Sequence, residues 1–456
     1  MTHRAVADGA PTAEAAVVEP AARLRGELSM PGDKSISHRA LMLALLATGE
    51  SRITGAGDGA DVRSTAGIVR TLGAQVERSA DGHGAIAYRV DSPGVAGIVP
   101  PAGLLDCGNS GTTLRLMAGL LSGAGIGATL DGDDSLRRRP VARIIEPLRA
   151  MGARISARDG DALPPVTIEG RAALHSIDWS TPVPSAQVKS AILLAGLHAS
   201  GTTSVHEAVA TRDHTERMLR ARGIAVRSRT EGATGAVVEI DGGSLVAAMD
   251  EQVPGDPSAA AFWLVVAAIH PDADLTLRGV GTNPTRRAIV DLLVRMGALI
   301  EEQPRPGSTG AADIGEPVAD LVVRSSRLEG IEVSAAEVGA AIDEVPILCL
   351  AATQAHGRTA LRGAGELRHK EADRLAGIAT GLRVLGASID IAGDDILIDG
   401  PTPLHGGPTD SLDDHRLAMT FAIAGLIASG RTTVGRPSSV AISYPGFFSD
   451  LERIRA

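Results

Sequence analysis

An α/β chain built from six copies of one β-α-β-β-α-β unit is what this sequence predicts, and three observations carry that expectation. Five times an apolar helix ends in glycine and passes into a β-branched strand: Leu72-Gly73-Ala74-Gln75-Val76, Met151-Gly152-Ala153-Arg154-Ile155, Arg222-Gly223-Ile224-Ala225-Val226, Met296-Gly297-Ala298-Leu299-Ile300 and Leu385-Gly386-Ala387-Ser388-Ile389. Each glycine suits the left-handed position after a helix C-terminus. A second signature recurs six times, an Ala/Leu helix and a small-residue turn leading into a Thr/Val strand. Its strands are Ser51-Arg52-Ile53-Thr54, Ala128-Thr129-Leu130, Thr202-Thr203-Ser204-Val205, Leu275-Thr276-Leu277, Arg358-Thr359-Ala360-Leu361 and Arg431-Thr432-Thr433-Val434. The third observation is compositional: 44% of residues are hydrophobic but only 2% aromatic, so the cores must be built from Ala, Val, Leu and Ile. The repeat spacing, about 70 to 85 residues, is too long for a solenoid unit and fits a split module of four strands and two helices. A sixth helix over 448–454 runs into the C-terminus with no strand after it. The segment 22–30 is expected to supply that strand and so tie both chain ends into one domain.

A chain of 456 residues corresponds to two to four domains at roughly 150 residues each. The net charge of −10 opposes general affinity for nucleic acid or acidic membranes, and the scarcity of aromatics opposes base-stacking platforms. Any anionic ligand must therefore be held by local cations. Cys107 and Cys349 lie in separate apolar contexts and suggest neither a disulfide framework nor a metal cluster. No run of about 18 apolar residues is free of charges or breakers, so no membrane span is expected. Residues 1–22 lack an apolar signal core and are read as a flexible tail on a cytoplasmic protein.

Polar residues gather where helices begin. Pro31-Gly32-Asp33-Lys34-Ser35-Ile36-Ser37-His38-Arg39 opens a helix that continues as Ala40-Leu41-Met42-Leu43-Ala44-Leu45-Leu46. Its first free N–H groups, with Lys34, Ser35 and Arg39, suit a phosphate or carboxylate; a capped surface helix would also explain this segment taken alone. Asp33-Lys34-Ser35 resembles the end of a P-loop, but the first glycine of that pattern is missing and Asp33 replaces the second. Leu105-Asp106-Cys107-Gly108-Asn109-Ser110-Gly111-Thr112-Thr113 leaves backbone amides open before the next helix. In Ser135-Leu136-Arg137-Arg138-Arg139-Pro140 the proline fits a first helical turn, while the arginines by themselves read as a solvated basic turn. Pro182-Val183-Pro184-Ser185-Ala186-Gln187-Val188-Lys189-Ser190 and Thr211-Arg212-Asp213-His214-Thr215 are two more donor-rich helix starts. Ile342-Asp343-Glu344-Val345-Pro346 places two carboxylates before a wholly apolar helix, as caps or as a partly desolvated base. Glu366-Leu367-Arg368-His369-Lys370-Glu371-Ala372-Asp373-Arg374 is helical in pattern, and Asp413-Asp414-His415-Arg416-Leu417-Ala418-Met419 starts another apolar helix. His38, His369 and His415 show no metal-ligand spacing. Cationic helix starts converging in an acidic protein would form a cavity for two small, highly anionic substrates.

Taken together, P-G-D-K-S-I-S-H-R, G-N-S-G-T-T, R-P, P-S-A-Q-V-K-S, D-E-V-P, K-E-A-D-R and D-H-R-L-A-M resemble, in order and over about residues 23–456, the enolpyruvyl transferase family on its shikimate branch. The resemblance implies a two-domain inverse α/β barrel with three units per domain. One domain would be 23–32 plus 254–456 and the other 33–253. The chain would cross near Gly32-Asp33 and Val253-Pro254-Gly255-Asp256, and the site would lie in a cleft that closes on substrate. The implied reaction moves the enolpyruvyl group of phosphoenolpyruvate to the 5-hydroxyl of shikimate 3-phosphate, with no cofactor and no metal, in a cytoplasmic monomer. By the same resemblance Lys34, Ser35, Arg39, Ser185, Ala186, Gln187, Arg212, Asp343 and Lys370 would hold shikimate 3-phosphate. Lys34, Gly111, Arg139, Gln187, Arg374 and Arg416 would hold phosphoenolpyruvate. Asp343 would take the hydroxyl proton, and Glu371 with Lys34 would handle the proton at the methylene carbon. A lysine that many relatives carry near the C-terminus is matched here by Ile442. The triplet Ser185-Ala186-Gln187 resembles the family's second class, whose glyphosate-tolerant members carry alanine where this chain has Gly111. A related transferase acting on UDP-N-acetylglucosamine needs a reactive cysteine in a mobile loop, and a non-catalytic anion-binding relative would lack Asp343 and Glu371.

Overall fold

The computed structural model describes residues 15–82, 84–171, 173–305 and 315–455. The repeats are present as six sheets, five of four strands and one of three. The second unit shows the plan: strand Leu105–Asp106, inner helix Gly111–Ala124, strand Ala128–Asp131, outer helix Ala142–Ala150, then the hairpin Ile155–Ala157 and Leu163–Ile168. The first two strands pair in parallel and the rest antiparallel. Each full unit thus has the four strands and two helices expected. The two helices follow the first and second strands and the hairpin closes the unit, because the glycine after the outer helix hands the chain straight into the hairpin. All five of these glycines have positive φ, from 82° at Gly223 to 108° at Gly73. A second device repeats beside them. Arg70, Arg149, Arg220 and Arg383, near the ends of four outer helices, each donate to the carbonyl six residues on, in the strand that follows.

The inner helices Lys34–Leu46, Gly111–Ala124, Ala186–Gly196, Pro257–Ile269, Val345–Thr353 and His415–Ile427 are apolar nearly all round and lie buried, as such helices must. They form two cores. One joins Ile36 through Val253; the other joins Val18, Leu24, Leu28 and Met30 to residues from Ala259 through Ile454. Aliphatic residues fill both cores, but five of the aromatics gather in one place. Phe262 and Trp263 pack on Phe447, Trp263 also on Tyr444, and Phe447 on Phe448, pinning the last helix, Phe447–Arg453, where a hairpin would otherwise follow.

Two expectations about the N-terminal region need correction. The segment expected to finish the sixth unit forms Leu24–Ser29 and instead pairs in parallel with Ala273–Gly281 in the fourth sheet. The sixth sheet receives Ala15–Val18, antiparallel to Thr432–Gly435. That strand lies within the stretch read as a flexible tail. Its Val18 is buried against the core, which a charge-poor Ala/Val run permits; residues 1–14 lie outside the described residues. Both chain ends do join the same core. The first sheet likewise takes its edge strand, Glu251–Gln252, from the far end of the 33–253 stretch.

The two crossovers lie side by side. Asp33 N–H donates to the Pro254 carbonyl and Asp256 N–H to the Pro31 carbonyl, both at 2.8 Å, around an antiparallel bridge between Gly32 and Gly255. A Cβ at Gly32 would sit 1.9 Å from the Gly55 carbonyl oxygen, so only glycine fits this approach.

Candidate active site

The starts of all six inner helices meet where the two cores face each other. Their N-caps are Asp33, Ser110, Ser185, Asp256, Glu344 and Asp414. Asp33 accepts from Ile36 N–H at 2.9 Å, Ser110 from Thr113 at 3.1 Å, and Asp414 from Arg416 at 2.8 Å. Glu344 instead accepts from the Ser258 hydroxyl. Contacts then run from cap to cap. Lys34 N–H donates to Asp256 at 3.3 Å, Arg416 to the Ser258 carbonyl at 3.2 Å, and Arg374 to Asp414 at 2.7 Å.

Around these caps stand most of the residues singled out from sequence. Lys34 Nζ lies 3.1 Å from the buried carboxylate of Asp61. Arg39 is almost fully buried. It donates to Ser35 O, Ser190 Oγ and Thr215 Oγ1, which leaves two of its five N–H donors for a ligand. Burial lowers its pKa to about 10. Of the three consecutive arginines only Arg139 turns inward. Arg137 pairs with Asp131, and Arg138 is exposed. Pro140 precedes the helix Ala142–Ala150 rather than entering its first turn, because the N-cap is Val141, one residue after the proline.

Two carboxylates face the cations across the cleft. Asp343 lies 2.8 Å from Arg212 and 3.6 Å from both Lys370 and Arg374. Glu371 lies 2.6 Å from Arg374 and 3.6 Å from Arg139. Burial pushes both carboxyl groups up, but Lys370, Arg212, Arg416 and Arg374 around Asp343 hold it well below the usual carboxylate range. Arg374, Arg139 and Lys34 do the same for Glu371. Arg212–Asp343 and Arg139–Glu371 are thus attractive pairs across the cleft. The segment expected to be one helix through Arg374 also differs. A 3₁₀ turn, Ala364–His369, ends at an extended Lys370, and a new helix starts at Arg374 with Asp373 as its cap. That break is what turns Glu371 inward.

His38 and His415 are buried, and burial with nearby Lys34 lowers both well below the usual range. His369 is exposed. Among the described residues no three or more His, Cys, Asp or Glu side chains form a metal-binding group. Cys107 and Cys349 are buried; desolvation raises both thiols, that of Cys349 to about 12, so neither is a reactive loop cysteine. Ile442 ends a 3₁₀ turn with its carbonyl packed on Gly59, 2.3 Å from where a Cβ would stand.

Sequence reasoning missed Arg115 and Asp61. Arg115 donates to Gln187 Oε1 at 2.8 Å and to the Pro140 carbonyl at 3.1 Å, while Gln187 donates to Thr112 at 3.0 Å. Burial, reinforced by Arg143 and Arg139, lowers its pKa to about 10. A Cβ at Gly111 would meet Arg115 Nη1 at 2.5 Å and Arg139 Nη1 at 3.5 Å. A lone arginine four residues after Gly111 in an apolar helix was the available signal. For Asp61 there was none, since only the fold brings it to Lys34.

Six repeated units in two cores, with cationic helix starts meeting two carboxylates, define an enolpyruvyl transferase. An enolpyruvyl transferase of Streptomyces tendae, 20% identical, shares the fold with a TM-score of 0.75 over 96% of each chain. A sequence match to EPSP synthase (3-phosphoshikimate 1-carboxyvinyltransferase) spans residues 18–451, and the chain belongs to that family of enzymes. A 3-phosphoshikimate 1-carboxyvinyltransferase of Gloeobacter violaceus is 49% identical over 96% of this chain and 98% of its own. The EPSP synthase of Acinetobacter baumannii superposes with a TM-score of 0.82 at 41% identity, over 96% of this chain and 98% of that one.

Proposed function

We propose that the cleft transfers the enolpyruvyl group of phosphoenolpyruvate to the 5-hydroxyl of shikimate 3-phosphate, releasing phosphate, in a reaction of the shikimate pathway. The observation that carries this reading is the pairing of Asp343 and Glu371, both ionised, with cations from both domains. Lys34, Ser35, Arg39, Ser185, Ala186, Gln187, Arg212 and Lys370 hold the acceptor. Lys34, Gly111, Arg139, Gln187, Arg374 and Arg416 hold phosphoenolpyruvate, with Arg115 fixing Gln187 and no lysine contributed at Ile442. The two domains divide as 23–32 plus 254–456 and 33–253.

Addition and elimination each need a proton moved. Asp343 takes the proton of the attacking hydroxyl. While paired with Arg212 it is a weak base, but an acceptor phosphate drawn to Arg212 removes that cation and raises its basicity. Glu371, with Lys34, handles the proton at the methylene carbon. The arginines neutralise the departing phosphate, since preorganised cations in a dry site need no reorganisation as charge develops. Two small-molecule substrates, no nucleic acid, no membrane, no cofactor and a cytoplasmic monomer complete the proposal. Phosphate release from phosphoenolpyruvate, measured with each acceptor in turn, tests it. Release only with shikimate 3-phosphate is expected, and release with UDP-N-acetylglucosamine would overturn it.

A further inference from the structure

Away from the reacting groups, the rim of the cleft holds a polar cluster that joins the two domains. One side contributes Asp213 and the buried His214, at the start of the helix His214–Ala221. The other side contributes Asn283 and Thr285, at the 3₁₀ turn Pro284–Arg286, together with Glu316. The Asn283 amide donates to Asp213 Oδ1 at 2.7 Å and to Glu316 Oε2 at 2.8 Å. His214 Nδ1 lies 2.7 Å from Glu316 Oε1, and the Thr285 hydroxyl accepts the Asp213 N–H at 3.4 Å. Arg217 braces Asp213 from its own helix at 2.8 Å.

None of these groups is hydrogen-bonded to or ion-paired with the cations and carboxylates assigned to substrate, and only Glu316 acts on one of them, Arg39, through space, so anion binding does not account for the cluster. Its position does. Asp213 follows Arg212 directly, and Arg212 reaches across the cleft to Asp343. At the other end of the turn, Arg286 donates to Ser258 Oγ at 2.6 Å and lies 3.2 Å from Asp256 at the crossover. One short turn therefore links the rim contact, the crossover and the stem of Arg212. We infer that Asp213, His214, Asn283 and Glu316 form an interdomain clasp that positions Arg212 for the acceptor's phosphate. They are positioning residues, and the assignment rests on the role of Arg212 given under Proposed function.

The clasp is opened without loss of volume by Asn283→Asp, which sets a third carboxylate between Asp213 and Glu316. The KM for shikimate 3-phosphate is expected to rise about tenfold, within the usual range of coupling between sites, while the KM for phosphoenolpyruvate stays within about twofold. Thr285→Val, which removes only a hydroxyl, is expected to raise the first constant about threefold and decides the matter alone where the charged variant does not fold. Both constants moving together, or a change in kcat only, would overturn the clasp, since a merely structural defect does not choose between substrates. Absence of turnover with shikimate 3-phosphate in the parent protein would instead overturn the reading of the reaction.

Discussion

Arg139 stands beside two other arginines in the chain, yet only its guanidinium reaches Glu371; what selects it is the extended backbone before the helix Ala142–Ala150. A charge run shows where cations are available, not which one turns inward. Asp343 stood out as a carboxylate before a wholly apolar helix, whereas Glu371, inside a segment of helical pattern, was singled out only through the resemblance, which also supplied the role of each. Asp61 was not legible, because its partner Lys34 is brought near only by packing. Replacing Asp343 by Asn keeps the shape and removes the basicity, so kcat should fall at least about 10²-fold with substrate binding largely kept; near-normal turnover would remove Asp343 from the mechanism. The pH sign is also fixed. A carboxyl group held below its unfolded value of about 3.9 stabilises the fold fully above that pH, and the contribution is lost as pH falls through the depressed value. The difference in melting temperature between the parent and Asp343→Asn should stay constant from about pH 8 to 5 and change only below about pH 4. At Gly111 a methyl group would press on the Arg115 end that holds Gln187. Glyphosate, which by the resemblance is a longer inhibitor of the phosphoenolpyruvate site, should be weakened by Gly111→Ala more than phosphoenolpyruvate, by about 1–3 kcal/mol, the scale for one methyl group in a fitted pocket. Equal loss for both ligands, in paired inhibition and Michaelis constants, would rule out the steric role.

At the scale of elements, the inner helices Gly111–Ala124 and Ala186–Gly196 meet along two rows spaced by four, Gly111, Arg115, Gly119 and Gly123 against Gln187, Ala191 and Ala195. A Cβ at Gly119 would stand 2.2 Å from the Ala191 carbonyl oxygen, and one at Gly123 2.9 Å from Ala195 Cα. The small residues let the backbones approach, as interlocking rows at this spacing allow, and Arg115 is the polar member at the end facing the cleft. Because the obstacle is backbone, Gly119→Ala should cost about 1–3 kcal/mol or more, visible as a lower urea midpoint with an unchanged slope; an unaltered midpoint would mean the helices can separate freely. The helix–glycine–strand signature located five of the six units because the left-handed residue is obligatory there. The order of helices and hairpin within a unit was not legible, since local periodicity names elements without saying which strands pair. The break between Lys370 and Asp373 was hidden for the same reason. The i,i+3 and i,i+4 pattern continued through it, so Asp373 did not stand out as a cap.

For the whole molecule, the proposed division into two domains came only through the resemblance of the motifs, while the six units were legible from the residues themselves. The partners of Ala15–Val18 and Leu24–Ser29 were not, because edge-strand choice depends on which sheet lies open nearby. The 33–253 stretch completes its three sheets from within, using Glu251–Gln252, whereas the remainder borrows both N-terminal strands. A fragment of 33–253 should therefore melt in one cooperative transition on its own, and a fragment of 254–456 should not. Calorimetry on the two pieces checks this, and a cooperative transition in the second would show that the borrowed strands are dispensable.

The strand Leu24–Ser29 also sets a schedule. It leaves the ribosome before any of the inner helices, but its mate, Ala273–Gly281, follows only after the entire first body has been made. At about 5–20 residues per second that is a wait on the order of ten seconds or more, with an unpaired strand trailing from a body that can already fold. Arg25 and Glu27 make this strand charged on its outer face, and Glu27 finds Arg278 only at the end. Those charges keep a waiting edge from joining its neighbours on a crowded polysome, so a side-chain pair that contributes little to the finished molecule protects it while it is being born.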